Sequence, residues 1–383
     1  MRIALVIEDV GMGGGQERVI AELLPRLARR HDVHLFCFSA RDVDLTGVTV
    51  HQLFAPRLSL GPRAIWFAIA SSLRVRRGVF DIVLSQGGNT LVQNAALVHT
   101  MHREKHRARR SFDRLYERRA GHRRAWEGLR DAIFTRLERR AALRCRGSII
   151  AISRTVKDYL VQEYGLCPEE VHVAANGVDH RTFSPELREE ARSRIRPELG
   201  IAPEDFVALF MAGRWFEKGL SELINGLAMV NEPVTLVVVG SGDIEHFSGL
   251  AADRGLERRI RFVPHVDRPQ DYFAMADCLV HPDHLEPFGL VMLEAAACGL
   301  PLVVAKSGVA LDLISEGVTG FFIEREPDSI AASLERIASS RDMLPEMGRR
   351  VHERSLEFSW ERQADTIEQF LAQFCSPGSA EVQ

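Results

Sequence analysis

Two glutamates, Glu286 and Glu294, are separated by seven residues where the sequence changes from a strand pattern to a helix pattern. The apolar run over 277–280 is typical of a short buried strand, and helical periodicity begins at Gly289 and Leu290. The free N–H groups and the dipole of such a helix start form an anion site. Because a carboxylate repels a phosphate unless it faces hydroxyl groups, we expect a ligand with both kinds of group, such as a sugar nucleotide.

The segment around these two acids resembles a known motif. Glu286 and Glu294, with Pro287, Phe288 and Gly289 between them, resemble the E-x7-E motif of retaining glycosyltransferases of family 4. A bare E-x7-E is usually two acids on a surface helix, but the preceding strand and the following small-residue helix favour the family. The resemblance implies a GT-B fold, in which two Rossmann-like doubly wound parallel-sheet domains face across a cleft. It also implies transfer of a hexose from a nucleotide-diphosphate sugar to a hydroxyl with retention of configuration and no cofactor.

Further residues receive roles from the same resemblance. Arg214 and Lys218, in the segment GRWFEKG, resemble the family's G-R…K-G motif, in which they would hold the diphosphate and stabilise the leaving group without a metal. Glu294 would hold the ribose hydroxyls and Glu286 the hydroxyls of the transferred sugar. The other donor-binding candidates are Gly14, Gly15, Gly240, His265, Val266, Phe288, Gly289 and Leu290.

A histidine follows the strand pattern of 95–98. Ligands bind at the carboxyl ends of strands in open α/β sheets, and Val98-His99-Thr100 resembles the family segment that carries an active-site histidine. We therefore take His99 as the catalytic candidate and His102 as its alternative, although a lone histidine at such a place is more often structural. The aspartate that other family members carry near this position is absent.

Strand patterns alternate with helix patterns along most of the chain. Strands are predicted at 3–7, 33–38, 48–53, 82–85, 95–98, 148–152 and 171–174, and again at 207–211, 235–239 and 260–263. Such alternation predicts α/β domains with doubly wound parallel sheets. A chain of 383 residues is longer than one hydrophobic core usually serves, so we expect two domains. The expected domains are 1–180, which binds the acceptor, and 181–358, which binds the donor. Residues 359–383 would form a helix that returns to the first domain, and a tail.

The first predicted strand leads into a glycine-rich loop at 11–16. The loop nearly matches a dinucleotide-binding fingerprint, but Gln16 occupies the position of the third glycine, which disfavours a nicotinamide cofactor. Gly14 and Gly15 still suit close approach of a phosphate or a sugar to the backbone.

Residues 101–147 form a strongly basic segment in a chain whose net charge is −3. Between Arg103 and Arg146 there are sixteen Lys or Arg and six Asp or Glu, and apolar residues recur at helical spacing. This pattern predicts basic amphipathic helices that suit an anionic membrane surface, as in similar lipopolysaccharide-core glucosyltransferases. Two alternatives remain. One is a helical insertion that packs its apolar stripe on the domain, and the other is RNA binding, which the lack of an aromatic stacking platform disfavours. The candidate membrane-facing residues are Arg118, Arg119, Arg123, Arg124 and Trp126.

Two short groups resemble metal sites. Asp42 and Asp44 form a D-x-D in a polar loop away from the predicted strand ends, whereas His281, Asp283 and His284 lie in one short turn that rarely orients three ligands. We therefore expect no metal.

Composition limits the setting of the protein. The apolar fraction of 46% is typical of a globular protein, the net charge of −3 disfavours general nucleic-acid binding, and six cysteines without paired spacing indicate reduced thiols. The chain begins with a strand pattern rather than a signal peptide, and no window of eighteen apolar residues occurs. We expect a cytoplasmic protein, peripheral on the inner face of the membrane.

The favoured function is transfer of a hexose from a UDP-sugar to a lipid-linked or lipopolysaccharide-core glycan. The sequence leaves two alternatives open, a nucleotide-sugar epimerase of related fold, which needs no acceptor, and a non-catalytic membrane-binding adaptor.

Overall fold

The structure is a computed structural model that describes residues 1–76, 78–108, 121–264 and 266–374, with the side chains of 121–126 left aside. The chain divides into two compact units. The first unit consists of Met1–Asn176 and the C-terminal segment that begins at Trp360, and the second consists of Gly177–Ser359. Each unit contains a parallel β-sheet with helices, which confirms the predicted α/β class.

The first unit contains a large parallel sheet and a small two-stranded one. The strands are β1 (Arg2–Val6), β2 (Asp9–Val10), β3 (Asp32–Cys37), β4 (Ser39–Ala40), β5 (Val48–Gln52), β6 (Ile82–Gln86), β7 (Ala95–Val98), β8 (Ile149–Ala151) and β9 (Val171–Val173). Across the large sheet the order is β5-β3-β1-β6-β7-β8-β9, so the order reverses direction between β1 and β6. Ligands bind beyond the carboxyl ends of strands at such a switch point.

Helices cover this sheet. They are α1 (Gly15–Ala28), α2 (Leu60–Arg74), α3 (102–108), α4 (Gly121–Arg144) and α5 (Arg154–Tyr164). Ser153 caps the start of α5, because its hydroxyl oxygen accepts a hydrogen bond from the Val156 amide at 3.1 Å. In the C-terminal part of the basic segment, Ile133 lies against Gly61 of α2 and Leu137 lies against Gly88. This part of the insertion therefore packs its apolar side chains on the unit.

The second unit is built on six parallel strands. They are β10 (Phe206–Met211), β11 (Val234–Val239), β12 (Ile260–Val263), β13 (Cys278–His281), β14 (Leu302–Ala305) and β15 (Gly320–Ile323), in the order β12-β11-β10-β13-β14-β15. This is the Rossmann order, with its switch point between β10 and β13. The strands read as continuous apolar runs because helices bury both faces of the sheet.

The first helix of the second unit precedes the strands of its sheet, and most of the other helices follow a strand. They are α6 (Arg188–Glu198), α7 (Leu220–Leu227), α8 (Ile244–Asp253), α9 (Pro269–Met275), α10 (Leu290–Ala297), α11 (Ala310–Leu313), α12 (Pro327–Ala338) and α13 (Leu344–Ser355). The start of α10 at Leu290 confirms the predicted helix start. Helix α13 was not predicted, because its buried stripe of Leu344, Met347 and Val351 is set among charged residues.

The C-terminal helix α14 (Trp360–Phe374) belongs to the first unit. It packs against α1, where Arg26 pairs with Glu361 at 2.9 Å and Arg30 pairs with Asp365 at 2.8 Å. Among the helices in the described ranges, none combines the length and the apolarity that crossing a bilayer requires.

Candidate functional site

A buried lysine lies between two carboxylates where β10 and β13 end. Lys218, in the loop after β10, donates from its Nζ to Asp283 Oδ2 at 2.7 Å and also contacts Glu286 Oε2. Both acids belong to the loop that follows β13. The side chains are largely buried, so solvent screens these ion pairs little. The adjacency of β10 and β13 therefore joins residues that are far apart in the sequence.

The ammonium group determines the protonation of this cluster. Burial alone would raise the pKa of Glu286 and of Asp283, but the Lys218 charge outweighs it and lowers both. Burial likewise opposes the charged lysine, whereas Glu286 and Asp283 together raise the pKa of Lys218. All three groups are therefore ionised at neutral pH, and the cluster carries one net negative charge.

His281, at the end of β13, completes the cluster. Its Nε2 lies 3.7 Å from Glu286 Oε2, and its buried Nδ1 makes no hydrogen bond. The potential ligand atoms of His281, Asp283 and Glu286 lie within 4.8 Å of one another, which is close enough for a metal site. However, the Lys218 ammonium already neutralises one of the two carboxylate charges, and its positive charge opposes a cation at the same place. The group differs from the predicted trio, because Glu286 joins it and His284 does not.

Helix α10 begins directly beside this cluster. Its N-cap residue Gly289 has φ +88°, and a Cβ there would lie 2.1 Å from Met292 Cε. Only glycine allows this turn without strain or displacement. The amide groups of the first turn, from Leu290 onward, form the positive end of the helix, and Phe288 just before it is buried. Glu294 lies within α10 and is also buried.

Arg214 has a strained backbone at the end of β10. Its φ is +54°, which is rare for a residue other than glycine and is associated with functional sites. The side chain is 60% exposed and pairs with Glu217 at 2.7 Å, so it does not join the Lys218 cluster. The Arg214 amide donates to Ser241 in the next glycine turn at 3.1 Å. In that turn, a Cβ on Gly240 would lie 2.1 Å from the Ala212 carbonyl oxygen, so the two loops are closely packed.

The first unit contains a cavity of about 300 Å³ at its own switch point. It is lined by residues after β1 and β6, by Arg63 of α2, and by His99 and His102. His99 Nε2 is buried without a hydrogen-bond partner, and burial lowers the pKa of His99 to about 3. Burial, with a contribution from Lys105, lowers the pKa of His102 to about 4. Both imidazoles are therefore neutral at neutral pH.

The pKa values of two acids in the same cavity are raised, whereas those of the two histidines are lowered. Burial raises the pKa of Glu8 to about 7, although Arg63 lies 3.8 Å from it. Burial also raises the pKa of Glu138 to about 7, against hydrogen bonds from the hydroxyls of Tyr159 and Tyr164 at 2.9 and 3.0 Å. The cavity thus brings together groups that exchange protons near neutral pH and hydrogen-bonding groups suited to hydroxyls.

The predicted site residues fall into three sets. Lys218, Glu286, Phe288 and Gly289 lie at the switch point of the second unit, and Val266 is half-buried just after β12. In the first unit, Gly14 and Gly15 form the start of α1 and precede Gln16, which lines the cavity there. His265, Arg118 and Arg119 lie outside the described residues, as do the side chains of Arg123, Arg124 and Trp126.

The sequence analysis missed one acid of the Lys218 cluster and two acids of the cavity in the first unit. Asp283 was considered only as a metal ligand, although its place in the same turn as Glu286 was a usable signal. Glu8 and Glu138 carried no local signal, because their raised pKa values arise from burial in the folded unit.

Family comparisons cover most of the chain. Residues 13–182 match the family described as Glycosyltransferase Family 4, and residues 191–354 match the family described as Glycosyl transferases group 1. An uncharacterised glycosyltransferase of Methanocaldococcus jannaschii is 29% identical over 197 residues, which cover 50% of each chain. The D-inositol 3-phosphate glycosyltransferase of Geodermatophilus obscurus is 35% identical over 225 residues, which cover 54% of this chain and 48% of that protein. The chain thus spans about half the length of the curated relatives it matches.

Solved structures agree with the fold over nearly the whole chain. WaaG, a glycosyltransferase involved in lipopolysaccharide biosynthesis, has a TM-score of 0.76 at 17% identity, covering 95% of this chain and 97% of its own. The Anabaena protein HepE, solved with UDP and glucose, has a TM-score of 0.74 at 20% identity, covering 97% and 100%. Identities this low support the shared fold alone.

Proposed function

Because the chain belongs to glycosyltransferase family 4 and has the GT-B type of fold, we propose that it transfers a hexose from a UDP-sugar to a glycan hydroxyl with retention of configuration. The acceptor is a lipid-linked or lipopolysaccharide-core glycan at a membrane surface. The observation that carries this proposal is the Lys218 cluster beside the start of α10, at the switch point where a Rossmann sheet binds its ligand.

In this proposal the diphosphate lies at the start of α10. The amides of Gly289 and Leu290 donate to its oxygens, and the helix dipole favours its charge. Since Lys218 is shared with two carboxylates, it offers only part of its charge to the ligand, and exposed Arg214 supplies the rest. We propose a UDP-sugar as the donor, rather than a GDP- or ADP-sugar, in line with the UDP and glucose bound in the HepE structure.

The sugar would lie against Glu286, whose oxygens accept hydrogen bonds from its hydroxyls. Glu294, in α10, would hold the ribose hydroxyls. No carboxylate is assigned as a nucleophile, so the acceptor hydroxyl attacks the anomeric carbon from the face that the diphosphate leaves. The new C–O bond forms as the bond to the diphosphate breaks, and the hydroxyl proton passes to an oxygen of the departing phosphate. Lys218 and Arg214 stabilise the negative charge that develops on the departing phosphate, which lowers the barrier without a metal ion.

His99 would contribute as a neutral hydrogen-bonding group. The burial that lowers its pKa to about 3 keeps it uncharged at neutral pH. The imidazole would therefore orient a sugar hydroxyl in the cavity of the first unit rather than act as an acid.

Donor binding can be tested by isothermal titration calorimetry with UDP. Replacing Glu294 by Gln keeps the size of the side chain and removes its charge, and we expect UDP affinity to fall about tenfold, as for a lost charge-assisted hydrogen bond. The matched control is Glu245→Gln, at an exposed position of α8, and this variant should bind UDP as the wild type does. Unchanged UDP affinity in Glu294→Gln would remove the proposed role of Glu294.

Two cheaper experiments separate the alternatives. A thermal-shift screen over UDP-, GDP- and ADP-sugars identifies the base, and stabilisation by none of them would favour the adaptor. Product analysis with the donor alone tests for an epimerase, which would convert the sugar, whereas a transferase would at most hydrolyse it slowly.

The proposed membrane contact is supported by an apolar surface in the first unit. Helix α2 exposes Ile65, Trp66, Ile69 and Leu73, with Leu73 80% exposed. Because α2 packs against the basic helix α4, apolar and cationic side chains lie close together. Interfacial proteins use this combination to bind anionic lipids.

Flotation with anionic vesicles tests this contact. We expect binding to be lost when Arg118, Arg119, Arg123 and Arg124 are changed to Glu. The charge-matched control changes four exposed arginines of the second unit to Glu and should still float: Arg181, Arg254, Arg258 and Arg336. Undiminished flotation of the first variant would refute the membrane role of the basic segment.

A further inference from the structure

The second unit contains a larger cavity at the opposite edge of its sheet. The cavity has a volume of about 620 Å³ and is lined by α6, by α13 and by Phe206 and Asp277, which stand at the amino ends of β10 and β13. The Lys218 cluster follows the carboxyl ends of the same two strands. β10 is six residues long, which at roughly 3.3 Å per residue separates the two places by about 20 Å. The cavity is therefore distinct from the site described above.

Three arginines of α6 project into this cavity. Arg188, Arg192 and Arg196 recur every fourth residue, so they share one face of the helix. All three reach a single buried carboxylate, that of Asp277. Asp277 also accepts a hydrogen bond from the Val207 amide at 2.8 Å. The group consequently keeps two positive charges that Asp277 does not neutralise.

The three arginines are not equally satisfied. Arg196 is buried and bonds to the carbonyl oxygens of Met275, Pro203 and Asp205 as well as to Asp277, so its role is structural. Arg188 has only a long contact of 3.4 Å to Asp277.

Arg192 is only partly satisfied. It contacts Asp277, but its Nε is buried and has no hydrogen-bond partner. An unpaired buried donor on a charged group is costly, so the contact with Asp277 compensates the Arg192 guanidinium only in part.

The electrostatic environment agrees with this geometry. Burial, together with the neighbouring Arg192 and Arg196, lowers the pKa of Arg188 to about 10. On the opposite wall Arg341 lies over the ring of Phe206, and Arg349 is paired with Glu346 and Glu353. On the α6 wall the excess positive charge is thus concentrated on Arg188 and Arg192, and Arg341 adds a further cation on the opposite wall.

We propose that this cavity binds a small phosphate-bearing solute, whose phosphate is held between Arg188 and Arg192. The planar guanidinium groups match the geometry of phosphate oxygens, and the phosphate charge balances the excess that Asp277 leaves. The cavity volume accommodates more than the phosphate itself. A lipid headgroup is disfavoured, because the exposed acids around α6 and the cavity mouth would be repelled by an anionic bilayer: Glu186, Glu189, Glu190 and Glu204.

The experiment is a titration of the full chain with inorganic phosphate, followed by calorimetry and by thermal unfolding. All samples contain saturating UDP, so that any phosphate affinity of the other site is suppressed. Sodium chloride at equal ionic strength serves as the control for general screening. The variants are Arg188→Gln and Arg188→Gln/Arg192→Gln. The matched control is Arg194→Gln on the same helix, since Arg194 lies outside the cavity and its partner Asp271 keeps Arg268.

Phosphate should raise the melting temperature of the wild type and of Arg194→Gln. Arg188→Gln should raise the Kd for phosphate at least tenfold, and the double variant should abolish the thermal shift. Without phosphate, Arg188→Gln should unfold at the wild-type temperature or above, because the variant relieves repulsion between cations. A purely structural arginine would instead lower it.

Several results would overturn the proposal. They are a wild type that phosphate does not stabilise, an equal effect of chloride, and a double variant that retains the thermal shift. Flotation of the wild type with phosphatidylglycerol vesicles that is lost in the double variant would assign the arginines to a lipid headgroup and likewise reject a soluble ligand.

Discussion

Replacing Lys218 by Met should strongly destabilise the second unit. The substitution removes the ammonium group that Asp283 and Glu286 share and leaves two buried carboxylates without a countercharge. Removing one partner of a buried ion pair costs about 3–5 kcal/mol. For a unit of this size each kcal/mol corresponds to roughly 2–4 °C, so we expect melting to fall by about 6–20 °C at pH 7.

The pH dependence of this loss gives a sharper test. In the wild type the folded-state pKa values of Asp283 and Glu286 lie below their unfolded values of about 4. Their stabilising contribution is therefore complete above pH 4 and is lost as the pH falls through the folded-state values. In Lys218→Met, burial and mutual repulsion raise both pKa values instead, so the folded variant takes up protons. The variant should consequently gain stability between pH 7 and pH 5, where the wild type changes little through this cluster.

The assay is urea unfolding of both proteins at pH 7, 6 and 5, with calorimetric melting as a second measurement. Lys306→Met is the matched control, because Lys306 is exposed in the same unit, and it should change the free energy of unfolding by less than about 0.5 kcal/mol. Lys218→Met/Glu286→Gln should recover part of the loss at pH 7. If Lys218→Met stays within about 1 kcal/mol of the wild type and shows the same pH dependence, the cluster does not have the energetics argued above.

Three further predictions follow from single residues. Gly289→Ala should cost at least about 1 kcal/mol in urea unfolding and weaken UDP binding in calorimetry, because φ is +88° and Met292 occupies the space. Arg214→Gly should raise the unfolding free energy by about 1 kcal/mol, since it relieves the left-handed backbone at φ +54°, while UDP affinity falls; a loss of stability would contradict this. The imidazole of His99 should show no titration above pH 5 by nitrogen NMR, because burial lowers its pKa to about 3, and a midpoint near 6.5 would disprove its burial as the neutral form.

Much of the fold could be predicted from local patterns. The predicted strands lie within one or two residues of the observed ones, because buried parallel strands need continuous apolar sequence, whereas β2, β4, β14 and β15 were not predicted. The start of α10 was also predictable, since a glycine before a helical pattern marks its beginning. Helix α13 was missed because its polar residues obscure its apolar stripe. The pairing of Lys218 with Asp283 could not be predicted. Lys218 follows β10 and Asp283 follows β13, and these strands are far apart in the sequence and become neighbours only in the sheet.

The sequence by itself determined the α/β class, the alternation of elements and the candidate residues at the strand ends, because these depend on side-chain periodicity over a few neighbouring positions. Only the tertiary structure decided which charges meet. It brought Lys218 to Asp283 and Glu286, and it directed the arginines of α6 toward Asp277. It also shifted the pKa values of His99 and Glu138 by burial. Electrostatic energies depend on distance and solvent exposure, and both are properties of the packed chain rather than of its local sequence.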